Sequence, residues 1–126
     1  MLASFNRGAL EHNSHNYKGE IEELSVPTLT LTSLLSKYQV NKLDLLQIDT
    51  EGHDFRIIQM LAGSHIKPTI IHFENAGMNT EQLYECYELL HGWNYRVLPI
   101  GIDTIAYQQQ DEDDTFLGII ENKGYD

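Results

Sequence analysis

The chain has 126 residues, with 8 Lys and Arg against 19 Asp and Glu, a formal net charge of −11 at pH 7. That balance argues against nucleic acid and anionic membranes as partners. At 41% hydrophobic and 21% charged, the composition excludes a disordered or fibrous chain, and the length fits one α/β domain over residues 1–126. No two of the nine glycines stand closer than six residues, which excludes a G-x-G-x-x-G turn and a G-x-x-x-x-G-K phosphate loop. A nucleotide-type cofactor would have to be held by something other than a glycine-rich cradle written in this chain.

Cys86 is the single cysteine, so no intrachain disulfide can form, and a reducing, cytoplasmic setting is the default expectation. Residues 1–10 contain one Arg, no apolar run of signal-peptide length and no A-x-A site. Nowhere do about 18 apolar residues follow one another. Neither secretion nor a membrane span is expected.

Residues 1–25 read as an irregular, polar lead-in and residues 26–126 as the α/β core. Val26-Pro27-Thr28-Leu29-Thr30-Leu31 alternates apolar residues with Thr and suggests an edge strand, the proline near its start where a missing N–H is tolerated. Thr30 can cap a helix whose apolar face is Leu31, Leu34, Leu35 and Tyr38, spaced i, i+3, i+4, i+7. In LDLLQID, residues 43–49, the apolar positions are nearly continuous, which predicts a strand buried on both faces.

Phe55, Ile58 and Leu61, widened by Ile57 and Ala62, predict an amphipathic helix that stops at Gly63. TIIHFE, residues 69–74, predicts a second buried strand. Asn79 with Gln82 three residues on is a helix-start signal, followed by the stripe Leu83, Cys86, Tyr87, Leu90 and an end at His91-Gly92. Residues 95–100 and 104–108 then form strands joined by Gly101-Ile102-Asp103, a connection short enough only for an antiparallel hairpin. The alternation of strands and helices implies parallel crossovers closed by that hairpin. Asp111 to Asp114 is an acidic run, expected as a solvated loop, and Phe116 to Ile120 could add a last apolar contact.

In an open parallel sheet, ligands bind outside the carboxyl ends of the strands, where loop backbones and helix N-termini converge. Asp49 ends the first buried strand, with Thr50, Glu51, Gly52 and His53 behind it; Glu74-Asn75 ends the second. In strands about 4.8 Å apart, Asp49 and Glu74 would face one crevice. A plainer reading of Asp49 and Glu51 is stabilisation of the first turn of the next helix, about 0.3–1 kcal/mol each. His53 reads as an exposed first-turn residue. His72 lies inside the second strand and reads as a hydrogen-bonded core histidine before it reads as a base. His12 and His15 have no third or fourth ligand nearby, and Trp93 and Tyr95 read as core rather than as a base-stacking platform.

Three blocks, VPTLTLTSLL, LDLLQIDTEGHDFRIIQML and KPTIIHFEN, resemble in order the C-terminal half of the FkbM family of S-adenosylmethionine-dependent methyltransferases. The strand ending in IDTEG is the most specific of them, and Ala3-Ser4-Phe5-Asn6-Arg7 resembles the segment upstream. The resemblance implies a partial Rossmann-like class I methyltransferase sheet in which residues 43–49 are similar to the fourth strand and residues 69–74 to the fifth, the hairpin supplying the last two. Asp49, Thr50 and Glu51 then border the methionine end of the cofactor and the acceptor. The first three strands, the glycine-rich turn and the ribose-holding acid of such enzymes have no counterpart here.

The resemblance thus implies methylation of a sugar or other small-molecule hydroxyl, with Asp49 and Glu51 at the reaction crevice and Glu74 or His72 orienting or deprotonating the acceptor. Two other readings use the same residues. Asp49 with Glu74 and Asn75 resembles the acid, then acid-Asn pattern of metal-dependent catechol-type O-methyltransferases, whose oxygens suit Mg²⁺. Alternatively, the chain is a non-catalytic fragment or one half of a split protein that needs a missing N-terminal half, since without neighbours LDLLQID would be an exposed apolar edge unless Val26 to Leu31 covers it.

Overall fold

A computed structural model of the chain describes residues 21–109. The elements in order are α1 (Leu31–Lys37), β1 (Leu45–Gln47), α2 (Asp54–Met60) running into a 3₁₀ turn (Leu61–Gly63), β2 (Ile70–Glu74), α3 (Thr80–Gly92), β3 (Tyr95–Ile100) and β4 (Asp103–Gln108). The four strands make one sheet in the order β1-β2-β4-β3. β1 and β2 are parallel, and β4 runs antiparallel to both β2 and β3. The result is the expected mixed α/β sheet: two parallel strands joined through a helix, with an antiparallel hairpin whose second strand inserts beside β2. The acidic run at 111–114, the segment 116–120, and His12 and His15 lie outside the described residues.

Local signals in the sequence account for most element boundaries. Thr30 caps α1, its Oγ1 accepting the Ser33 amide at 3.2 Å. Asn79 and Gln82 close a reciprocal capping box at the start of α3, each side chain accepting the other's backbone N–H at 2.9 and 3.1 Å. At the end of the 3₁₀ turn, Lys67 Nζ donates to the carbonyls of Leu61 and Ser64 at 2.6 and 2.7 Å and lies 4.8 Å from the centre of the Trp93 ring. A cation there satisfies orphan carbonyls and is attracted by the ring face. The hairpin turns at Gly101, whose φ of +63° is open to glycine and costly for most other residues.

One face of the sheet carries the core. Ile71 and Phe73 of β2, Ala106 of β4 and Cys86 and Leu90 of α3 are fully buried, joined by Ile58 of α2. Burial pushes the Cys86 thiol up to about 12, so it packs as a small apolar group. Tyr95 is in the core as its sequence context suggested, its hydroxyl donating to the Pro68 carbonyl. Thr104, buried among these residues, is satisfied by the Tyr87 hydroxyl at 3.0 Å and the Asn75 amide at 2.9 Å.

The structure departs from the sequence reading on the β1 side. Val26 to Leu31 forms no strand: residues 21–30 are irregular, with Val26 and Leu29 exposed. LDLLQID is not buried on both faces. Leu45 is 52% exposed, and only Ile48 is buried in the core. The reason is topological, because β1 is the edge of the sheet among the described residues and has β2 as its one strand neighbour. Its main-chain bonding still covers most of the predicted span, from Thr69 N–H to the Leu43 carbonyl (3.0 Å) to Ile48 N–H to the His72 carbonyl (2.8 Å). Of the stripe predicted for α1, Leu35 alone is buried while Leu34 and Tyr38 are exposed; among the described residues α1 packs mainly against α2 and the 3₁₀ turn.

Candidate active site

The parallel pairing of β1 and β2 brings their carboxyl ends side by side, so the loops that follow, Asp49 to His53 and Asn75 to Met78, leave the sheet together. They pass close together at their glycines: a Cβ on Gly77 would stand 3.5 Å from Gly52 Cα. In the first loop Glu51 has φ +51° and Gly52 has φ +108°. The second value needs glycine, and the first is a left-handed conformation that a non-glycine residue adopts at a cost of about 1–2 kcal/mol. The loop therefore turns sharply just where its acidic residues are presented.

Between the loops lies Asp54, 3% exposed and first in α2. Its Oδ1 accepts the Thr50 amide at 3.0 Å and the Thr50 hydroxyl, while its Oδ2 accepts the Glu74 amide at 3.0 Å. These contacts correct the capping expectation. Asp49 and Glu51 precede the helix, and Asp54 is the acid of its first turn. His53 is the N-cap position and half-buried, rather than an exposed first-turn residue. Sequence reasoning missed Asp54 because an acid at a helix start needs no further explanation; the available signal was Thr50 four residues before it, across a glycine-containing turn.

Glu74 closes β2 half-buried. Its carboxyl is held above the usual glutamate range, first by burial and then by the negative charges of Glu51, Asp54, Asp49 and Asp103. The structure thus gathers Asp49, Glu51 and Glu74 at one edge, with Asp49 exposed to solvent and Thr50 half-buried against Asp54. His72 corrects the expectation of a core histidine. It lies two residues before Glu74 on the face of the sheet opposite Phe73, partly exposed, with Nε2 3.6 Å from Asp103 Oδ1. Asp103, which pairs with Glu74 across β2 and β4, was missed by sequence reasoning because its place depends on the strand register.

Asn75 ties its loop to the hairpin. Its amide N–H groups reach the Asp103 carbonyl at 3.1 Å and Thr104, and its backbone N–H reaches the Ile102 carbonyl at 2.7 Å, tethering the second loop to the hairpin. Among the described residues no three His, Cys, Asp or Glu side chains converge as metal ligands. The geometry therefore lends no support to a Mg²⁺ site at Asp49, Glu74 and Asn75.

A cavity of about 40 Å³ lies at this edge, lined by Gly52, Asp54, Phe55, Glu74, Gly77 and Met78 among others. It has room for a water molecule or so, not for a nucleoside. Negative charge at the two strand ends suits a cationic ligand, and this cavity is itself too small for a nucleoside. A larger open trough of about 510 Å³, near His91, Asn94 and Tyr95, lies at the opposite end of the sheet from Glu74.

A mixed α/β domain whose carboxylates collect at the ends of two parallel strands belongs to the broad class that works on ligands at that edge. The comparison with protein families narrows this class. The Methyltransferase FkbM domain matches residues 2–97, and the chain belongs to that family. The match runs from the lead-in into β3 and includes both crevice loops. Searches among curated proteins and among solved structures each returned no match. Among the described residues no helix is long and apolar enough to cross a membrane.

Proposed function

We propose that this chain serves S-adenosylmethionine-dependent O-methylation of a sugar or other small-molecule hydroxyl, on the crevice formed by the loops after β1 and β2. The observation that carries the reading is the convergence of Asp49, Glu51 and Glu74 at the ends of two parallel strands in a member of the FkbM methyltransferase family. When bound, the cofactor supplies an electrophilic methyl group on a sulfonium. Asp49 and Glu51 offer fixed negative charge toward that cation. Glu74, with its raised proton affinity, is suited to accept the proton of an acceptor hydroxyl, and His72 with Asp103 to orient that hydroxyl from the same face of the sheet. Further strands, from outside the described residues or from a partner, would have to furnish the adenosine contacts.

Titration calorimetry of the chain with S-adenosylmethionine, followed by radiolabelled methyl transfer to a panel of saccharides, tests the reading. Binding with transfer that falls about 10²–10⁴-fold in Glu74→Gln is the expected outcome, the usual range for losing a general base. Transfer unchanged in both Glu74→Gln and Asp49→Asn would overturn it.

The exposed edge of β1 favours a second reading, in which the chain is the acceptor-side portion of the fold and acts only when another strand pairs with β1. Leu45 is apolar and half exposed, and among the described residues no strand pairs with the outer edge of β1. No cofactor binding by the chain alone, restored when a polypeptide carrying the first strands of a family member is added, would select this reading.

A further inference from the structure

The main-chain ladder between β1 and β2 ends at the bond from Ile48 N–H to the His72 carbonyl. Beyond that point the two strands continue as loops, yet they stay close enough that a Cβ on Gly77 would meet Gly52. The next link across the gap is a side chain. Asp54 reaches back to Thr50 with one oxygen and across to Glu74, twenty residues further on, with the other. We infer that Asp54 is a positioning residue of the crevice: its buried carboxylate extends the β1–β2 pairing by one more rung and fixes the spacing between Glu51 and Glu74. The assignment rests on the proposed reading of this crevice as the site of methyl transfer.

The chemistry of the bridge explains why the residue is an aspartate. All three of its partners are donors: two backbone N–H groups and one hydroxyl. An ionised carboxylate presents acceptors on both oxygens and no donor, so it can serve both loops at once. An asparagine of the same shape must turn its NH₂ toward one side, where it meets another donor. Burial adds to the effect, because water has little access to stand in for a lost bond at a residue 3% exposed. Glu51 lies three residues before Asp54 and one after Thr50, inside the turn of positive φ, so a loop released from Asp54 would carry Glu51 away from Glu74.

The spacing can be read without cofactor or acceptor, because Glu74 senses it. The groups around its carboxyl are Glu51, Asp54, Asp49 and Asp103, with Arg56 on the rim of the cavity. In an NMR titration of the Glu74 side chain in the full chain, Glu51→Gln is expected to lower the midpoint, since it removes a like charge. Asp54→Asn also lowers it by removing its own charge, so the informative quantity is the coupling: the shift caused by Glu51→Gln measured again in the Asp54→Asn background. A shift reduced to near zero there is the expected result. A Glu51→Gln shift of the same size in both backgrounds would overturn the positioning role.

Should Asp54→Asn fail to fold, amide hydrogen exchange in the unmodified chain decides the matter. Thr50 and Glu74 amides are expected to be protected and to open together, whereas a Thr50 amide exchanging at the free-peptide rate beside a protected Glu74 would overturn the proposal. Calorimetry and methyl transfer keep the two ideas apart. A chain that neither binds S-adenosylmethionine nor transfers methyl, alone or with the first strands of a family member added, refutes the reading of the crevice and leaves the coupling result as it is. Preserved coupling refutes the role of Asp54 and leaves transfer as it is.

Discussion

The two sides of this sheet are equally apolar in sequence and differ sharply in what they bury. Around β2, β4 and α3, Ile71, Phe73, Ala106, Cys86 and Leu90 are all inaccessible to solvent. Around α1 and β1, Leu34 is 42% and Leu45 52% exposed, and Leu29 lies open in irregular chain. Strand β2 has neighbours on both edges and helices on one face, whereas β1 has a neighbour on one edge only among the described residues. An apolar run in a strand states what it is able to bury, and topology decides what it does bury. The crevice sits on the seam between the two regions, where a loop from the weakly packed side meets the end of a strand from the well packed side.

The sharpest way to break this comparison is to truncate one apolar side chain on each side. Phe73→Ala empties a fully packed site and is expected to cost about 3–5 kcal/mol, close to the whole stability of a small domain. Leu45→Ala removes a side chain that is already half in water and should cost under about 1 kcal/mol. Urea unfolding followed by circular dichroism compares the two; equal losses would mean that β1 is buried in solution by something beyond the described residues. The next largest effect belongs to the seam. Asp54→Ala leaves the Thr50 and Glu74 amides without their acceptor and is expected to cost about 2–3 kcal/mol, with loss of hydrogen-exchange protection on both sides of the gap.

The same division separates what could be read in advance from what could not. The ends of α3, the hairpin and the end of the 3₁₀ turn that follows α2 depend on residues within a few positions of one another: Asn79 with Gln82, Gly101 in the turn, Gly63 after Leu61. The position of Asp49, Glu51 and Glu74 at one edge followed from the parallel crossover, a rule of topology rather than of local pattern. Asp54 and Asp103 were not legible as parts of the site, because their partners lie twenty residues away or across a strand pair whose register only the folded sheet defines. Val26 to Leu31 failed for the converse reason. Its alternation fits a strand, but alternation does not by itself pair one, and in the described structure the segment stays irregular and leaves the outer edge of β1 uncovered.

Glu74 provides the smallest effect and the one that joins the two regions through charge. Its carboxyl titrates above the ordinary glutamate value of 4.5, because burial and the charges of Glu51, Asp54, Asp49 and Asp103 all disfavour the ionised form. A folded-state value above the unfolded one means that the protonated group favours the fold below the ordinary value. That contribution is lost as the pH rises through the raised value. At neutral pH the ionised Glu74 therefore works against the fold, and Glu74→Gln, which keeps the shape and removes the charge, is expected to stabilise it by about 0.5 kcal/mol. Below the ordinary glutamate value the two proteins should converge, since Glu74 is then neutral as well. Urea midpoints at pH 7 and near pH 4 measure the difference; a gain of equal size at both would assign it to packing rather than to repulsion. The same substitution is expected to abolish most methyl transfer, so a variant that is more stable and less active at neutral pH would mark Glu74 as a charge kept for chemistry at the expense of the fold.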